Sequence, residues 1–226
     1  MTIKIQVDSS SEIGTYIKLT NTFCIVPVTL SKKAFIALRS ELGKNFPVLL
    51  SNVLSSKYQG RLIACNSKGI LLPPQPTPEE FASLKNSVPD SIVVKYSEEN
   101  LNTLGNCICV NDFTALISPD LSKKTEELLS DTLGVEVFKT YVGQFSLVGS
   151  YCVLNNQKGL VHPNISCEEQ DFLTELLQIP LRTATVNRGS ETLGSGIITN
   201  DWHSFCGQKT TQPELQIIDT WLHGKV

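Results

Sequence analysis

No stretch of the sequence stays apolar for the roughly 18 residues a bilayer span requires, so no membrane role is expected. The first ten residues, MTIKIQVDSS, lack the basic start and apolar run of a secretory signal. Basic residues never cluster beyond the dipeptides Lys32-Lys33 and Lys123-Lys124, and the net charge is −3 with a pI of about 5.7. A protein that grips nucleic acid through its phosphates needs a basic face, so any role near nucleic acid is expected to rest mostly on protein contacts. The seven cysteines are odd in number and contain no CxxC pair, which suits free thiols in a reducing compartment. These absences together predict a soluble, intracellular chain. What is present is a globular composition, 41% apolar and 18% charged over 226 residues, enough for a core that needs no disulfide or metal.

The informative feature is an internal repeat. Gly14, Gly60, Gly105, Gly149 and Gly194 follow one another at steps of 46, 45, 44 and 45 residues. Six residues after the last four stand Asn66, Asn111, Asn155 and Asn200, whereas the first unit has Asn21, one place later. Thirteen or fourteen residues after the first four glycines come Pro27, Pro73, Pro119 and Pro163, with Gly207 in the fifth unit. Within each unit the glycine is predicted to open a short strand, as in RLIACN, NCICVN and SYCVLN. A polar turn and a second strand follow, stopped by the proline, which cannot donate to a ladder. Helix starts come next: Thr77-Pro78-Glu79-Glu80, Ser166-Cys167-Glu168-Glu169 and Thr211-Gln212-Pro213-Glu214 match the S/T-x-x-E capping box, with Ser31 and Ser122 as the remaining caps. Apolar residues at helical spacing, such as Leu38 and Leu42 or Phe172, Leu173, Leu176 and Leu177, predict one core-facing side per helix.

A third strand is predicted after four of the helices, at 47–53, 91–97, 136–142 and 182–187. The fifth unit ends after its helix, and the missing strand is available at residues 3–7 (IKIQV). One domain of five β-β-α-β units is therefore expected, near 8–53, 54–98, 99–143, 144–188 and 189–223, with the N-terminal strand closing the ring. This is a five-bladed α/β propeller, in which closure removes exposed sheet edges.

The register tests each suspected site. Three residues after the glycines lie Ile17, Ile63, Ile108, Cys152 and Ile197, so Cys152 fills an apolar slot as a small hydrophobe. Cys65 fits the next slot on the same face, with Leu19, Val110, Leu154 and Thr199. His162 occupies a slot of mixed character before its proline. No spacing supplies the three or four ligands of a zinc site, and no catalytic constellation is evident. Immediately after the glycines come Thr15, Arg61, Asn106, Ser150 and Ser195, polar residues that fivefold symmetry gathers at one rim. They read either as solvated strand starts or as a polar docking face.

Several segments resemble the eukaryotic translation initiation factor 6 family, ribosome anti-association factors shared with archaea. They are EIGTYIKLTNTFC (12–24), LGNCICVND (104–112), PDLSKKTEELLSDTLGVEVF (119–138), LVGSYCVLNNQKGLVHP (147–163), TVNRGSE (185–191) and NDWHSFCG (200–207). The resemblance implies the pentein fold, a fivefold α/β propeller. It also implies a monomeric binding protein with no catalytic residue, cofactor or metal. Such a factor sits on the large (60S) ribosomal subunit beside the sarcin–ricin loop, mainly against ribosomal proteins, and blocks joining of the small subunit. It accompanies the precursor subunit from nucleolus to cytoplasm, and an elongation-factor-like GTPase acting with the Shwachman–Bodian–Diamond syndrome protein releases it. The resemblance places Arg61, Asn106 and Tyr151 on the docking face, with Thr15, Ser150 and Ser195 proposed as neighbours. Animal members carry a longer phosphorylatable C-terminal tail, whereas this sequence stops at Val226. In DFLTELLQIP (171–180) only Thr174 remains as a phosphate acceptor. The alternative within the same fold is a guanidine-modifying enzyme, using Cys206 or Cys167 with His162 or His203. The minimal 45-residue units leave no insertions to cap such a site.

Overall fold

A computed structural model describes residues 2–224; the last two residues, where the short tail ends, lie outside them. Five three-stranded sheets surround one axis. The middle strands are Cys24–Pro27, Gly69–Leu72, Thr114–Ile117, Gly159–Val161 and Ser204–Gly207. Each pairs antiparallel with the strand before it, and in the first four units parallel with the strand that follows its helix; in the fourth unit Leu160 lies between Val153 and Arg182. Every residue of the five middle strands is buried. That follows from their place between the axis and the outer helices, and it explains why they read as continuous apolar runs instead of alternating ones.

The fifth sheet is completed from the other end of the chain. Thr2–Ile5 runs parallel to Ser204–Gly207, from Thr2↔Ser204 to Ile5↔Gly207. The expected closure by the N-terminal strand is therefore present, and it leaves neither end of the repeat array uncapped.

Five outer helices span Lys32–Leu42, Pro78–Ser87, Lys123–Leu133, Cys167–Leu177 and Gln212–His223. Ser31, Ser122 and Ser166 accept from the amides of Ala34, Thr125 and Glu169. Thr77 and Glu80 cap each other reciprocally. In the fourth helix the box is incomplete: Glu169 turns to the Gly143 amide at 2.7 Å. Its core side is Leu173 and Leu177, while Phe172, counted with them from spacing, is 53% exposed. The apolar clusters lie between neighbouring units: Phe23 and Ile25 pack with Ile70 and Leu72, and Ala64 and Leu71 with Leu104 and Leu129. No unit has a core of its own, so the ring stands as a whole.

Two local expectations are corrected. The residues around the repeat glycines do not start strands. They form single helical turns, Ile13–Thr15, Gln59–Leu62, Leu104–Cys107, Val148–Tyr151 and Leu193–Gly196, and the strands begin one to three residues later. The predicted third strands are also shorter, Val48–Ser51, Val93–Tyr96, Glu136–Lys139 and Leu181–Thr183.

Candidate docking face

The repeated glycines meet around the axis at one mouth of the ring. A Cβ on Gly60 would lie 2.0 Å from the Gly14 carbonyl oxygen, one on Gly105 2.2 Å from that of Gly60, and one on Gly149 2.4 Å from that of Gly105. The circle closes through Gly194 on Gly149 at 2.0 Å and Gly14 on Gly194 at 2.1 Å. No side chain fits at these positions; close backbone approach demands glycine at all five. The turns are thereby locked shoulder to shoulder, and the residue after each glycine is delivered to a fixed place on the rim.

Those residues are not equivalent once placed. Arg61 is exposed, and Asn106 and Ser150 are half-buried. The side chains of Arg61 and Asn106 make no hydrogen bond or ion pair among the described residues, so their donors are free for a partner. Thr15 and Ser195, by contrast, are 3% and 6% exposed, and Thr15 Oγ1 donates to the Glu12 carbonyl at 2.6 Å. Fivefold symmetry brings all five to one mouth, but two of them point into the structure. The uniform polar ring expected from the repeat is thus reduced to an arc through units two to four.

That arc carries aromatic and apolar residues that spacing did not reveal. Tyr58, Leu101, Phe145 and Leu147 are all 39–44% exposed and lie two or four residues before the glycines. Beside Arg61, Tyr58 packs on Tyr16 with ring centroids 5.3 Å apart, and the Lys57 ammonium lies 5.4 Å from the Tyr58 ring. In unit four Tyr151 stacks on Phe145 at 4.2 Å and 20°. Both rings lean on His162, 5.3 Å and 5.1 Å away.

His162 is therefore not the indifferent residue its slot suggested. It is 3% exposed, accepts the Asn164 amide at Nδ1 (3.2 Å) and donates from Nε2 to Glu191 Oε2 (3.1 Å). The imidazole ties unit five to unit four and fixes the plane of Tyr151. Apart from the Asn164 amide, its partners come from residues 145, 151 and 191, so local spacing around His162 carries no sign of the role.

The thiols play no part at this face. Cys152 is buried at 1% exposure opposite Val161. Its thiol is pushed up by its contact with Cys109 and by burial. Burial likewise raises Cys206, and it pushes Cys65 up to about 12 and Cys107 up to about 11. A nucleophilic cysteine needs the opposite shift. Neither His162 nor His203 shares a hydrogen bond with a thiol among the described residues, and Cys167 is exposed on its helix. No group of three metal-ligating side chains occurs among the described residues.

The opposite mouth is sealed by side chains. Asn66, Asn111, Asn155 and Asn200 each accept two amides of their own hairpin turn through Oδ1, as Asn111 does from Phe113 and Thr114 at 2.8 Å. Each also donates from Nδ2 to the next unit, Asn66 to the Asn111 carbonyl at 3.2 Å and Asn200 to the Thr20 carbonyl at 3.1 Å. Thr20, not Asn21, fills the slot in the first unit; its hydroxyl accepts the Phe23 amide at 3.0 Å. Asn21 belongs to a second ring with Ser67, Asp112, Asn156 and Asp201. There it donates to both aspartates at 2.9 Å, and Asn156 bridges the same pair. Burial raises Asp112, but donors from Asn156, Ser67 and Asn21 outweigh it and hold the carboxyl below its ordinary value. Between the mouths lies a narrow channel of about 80 Å³, lined by the apolar slots that include Ile17, Cys65 and Cys152.

The chain is similar to known proteins over nearly its whole length. The family model described as the eIF-6 family matches residues 2–221. Among similar proteins, eukaryotic translation initiation factor 6 of Saccharomyces cerevisiae is 46% identical, covering 97% of this chain and 90% of its own length. The factor of Drosophila melanogaster is also 46% identical with the same coverage, and eukaryotic translation initiation factor 6-2 of Arabidopsis thaliana is 44% identical. Among solved structures, dimethylarginine dimethylaminohydrolase from Pseudomonas aeruginosa, complexed with citrulline, aligns with a TM-score of 0.49 at 12% identity, covering 77% of this chain and 69% of that one. With the fivefold ring and a family match over nearly the whole chain, the protein belongs to the eIF-6 family of translation initiation factors.

Proposed function

We propose that the protein binds the large ribosomal subunit through the glycine-ring mouth and sterically prevents the small subunit from joining. The observation that carries this reading is the arc of Arg61, Asn106 and Tyr151, whose polar groups and ring faces are held ready on a backbone that cannot give way. Its exposed Tyr58, the unpaired Arg61 beside it and the half-buried Tyr151 are of the residue types that dominate protein-binding hot spots. An acidic chain with no long basic run suits ribosomal proteins beside the sarcin–ricin loop better than bare RNA. Burial of Cys206, which raises its thiol, and the pairing of His162 with Glu191 and the Asn164 amide support a non-catalytic role over a guanidine-modifying one. The same reading includes passage with the precursor subunit from nucleolus to cytoplasm. It also includes release by an elongation-factor-like GTPase with the Shwachman–Bodian–Diamond syndrome protein.

The test is subunit joining followed on sucrose gradients with purified subunits. Saturating protein is expected to hold large subunits out of the joined particle while sedimenting with them. Unimpeded joining, or a protein that stays at the top of the gradient, would sink the proposal.

A further inference from the structure

We infer that the crevice at the C-terminal ends of Gly69–Leu72 and Val93–Tyr96 is a binding groove for an extended, arginine- or lysine-bearing segment of a basic partner protein. The two strands are parallel neighbours whose chains part after Leu72 and Tyr96, one into a proline-rich approach to its helix and the other toward the glycine turn of unit three. The parted strands leave a cleft beyond their carboxyl ends. Here the cleft measures about 660 Å³, within the range of specific ligand sites.

Ser97 marks it as more than a packing gap. Seven or eight residues before the other four turn glycines stand Val7, Val53, Val142 and Val186, each at 0–1% exposure. Unit two has Ser97 there, equally buried at 0%, and its hydroxyl finds no hydrogen-bond partner among the described residues although it lines the cleft. A buried donor left unpaired is costly, so this position is not settled for packing alone as its valine counterparts are. In three of the other units the chain turns back at once, through the pairs Val7–Ser10, Val142–Phe145 and Val186–Ser190. No such pair follows Ser97 among the described residues, and the segment from Glu98 to Asn102 forms the far wall instead.

The walls specify the occupant. One side presents Pro74, Pro76 and Pro78; the floor is an edge-to-face pair of Phe81 and Tyr96, 5.9 Å apart at 87°, with Tyr96 51% exposed. Aromatic-lined grooves are what extended polyproline-type segments dock against, and the prolines hold the facing wall rigid. The far wall is anionic. Glu99 is held ionised by the Ser122 and Asn100 amides and the Thr125 hydroxyl, and Glu98 is exposed with a surface contact to Lys124. Among the described residues no lysine or arginine lines the cleft. Shape favours an extended chain, and charge favours a basic one.

The inference does not rest on ribosome binding, because it is tested on the purified full-length protein alone. The probe is the acetylated peptide Pro-Arg-Ala-Pro-Arg-Ala-Pro, titrated into isotope-labelled protein and followed by amide chemical shifts. Saturable shifts confined to the segments around Phe81, Tyr96 and Asn100 are expected, with at least tenfold weaker binding when both arginines of the peptide are glutamate. Glu98→Lys, a surface change, is expected to weaken the arginine peptide at least fivefold. Ser97→Val restores the residue of the other units; it is expected to raise the melting temperature while weakening the peptide at least threefold. Shifts that do not saturate or fall elsewhere, equal affinity for the two peptides, or unchanged affinity in both variants would overturn the assignment.

Discussion

The two mouths of the ring close the same circle by opposite means. At one, five glycines let backbone meet backbone, and the neighbouring side chains are left free. At the other, asparagines and aspartates bridge the units and consume their own hydrogen-bonding capacity. A face sealed by its backbone can devote Arg61 and Asn106 to a partner; a face whose polar side chains are already paired has few to offer. The contrast also separates two kinds of sensitivity, to added volume at the glycine mouth and to lost hydrogen bonds or protonation at the other.

The largest effect is expected from volume. Gly105→Ala sets a Cβ 2.2 Å from the Gly60 carbonyl oxygen, so the turns must part; a loss of about 3 kcal/mol or more in urea unfolding is expected, with loss of subunit binding. Gly43→Ala is the control. It has a φ of +85° and a ψ of 161°, a region essentially kept for glycine, but nothing within 4 Å, so about 1–3 kcal/mol of purely local backbone strain is expected, with binding kept. Equal losses in the two variants would break the comparison.

Next comes the asparagine mouth. Asn111→Ala removes the acceptor for two turn amides and the donor to Asn155, an expected loss of about 2–3 kcal/mol. Subunit affinity should stay unchanged per folded molecule. Loss of binding without loss of stability would assign this mouth to docking instead.

Acid is expected to act on the carboxylates that hold units together. Glu214 is driven down to about 2: burial opposes ionisation, but the Thr211 and Gly189 amides and the Thr185 hydroxyl prevail. A depressed carboxylate stabilises above its ordinary value and loses that contribution as pH falls through its folded value. Stability should therefore decline between about pH 4.5 and 2, with Asp112 adding to the slope at the aspartate ring. Urea midpoints of Glu214→Gln and Asp112→Asn measured across that window should fall less steeply than those of the parent.

The smallest effect on stability is expected where the effect on binding is greatest. Arg61→Ala should change unfolding by no more than about 0.5 kcal/mol, because the guanidinium is exposed and unpaired. Thiol labelling gives a parallel check on the interior: of seven cysteines only Cys167 is exposed, so one should react in the native state and all seven in denaturant.

Much of this contrast was legible in the sequence because both circles depend on residue types with no substitute. Glycine at a backbone contact and asparagine at a turn that also bridges units recur at a fixed step, and that step revealed the ring. The helical turns around the glycines were not legible, because four residues are too few to show a period. Thr20 escaped notice since a hydroxyl performs only the turn-capping half of the asparagine's work, while Asn21 next to it looked like a slipped copy. Burial of Thr15 and Ser195 and the role of His162 depend on contacts between units, which no local pattern encodes. Arg61 and Asn106 were found by register, but the apolar arc around them is irregular and left no trace in the repeat.

The claim that the glycine-ring mouth is the docking face is tested most directly by co-sedimentation with purified large subunits, comparing variants of the two mouths. Arg61→Glu and Asn106→Lys stand for one mouth, and Trp202→Ala, an aromatic 59% exposed at the turn tips, for the other. The expected result is that Arg61→Glu and Asn106→Lys each lose at least tenfold in affinity with unchanged melting temperatures, while Trp202→Ala binds as the parent does. Binding that survives both rim changes and fails with Trp202→Ala would contradict the account and move the docking face to the opposite mouth.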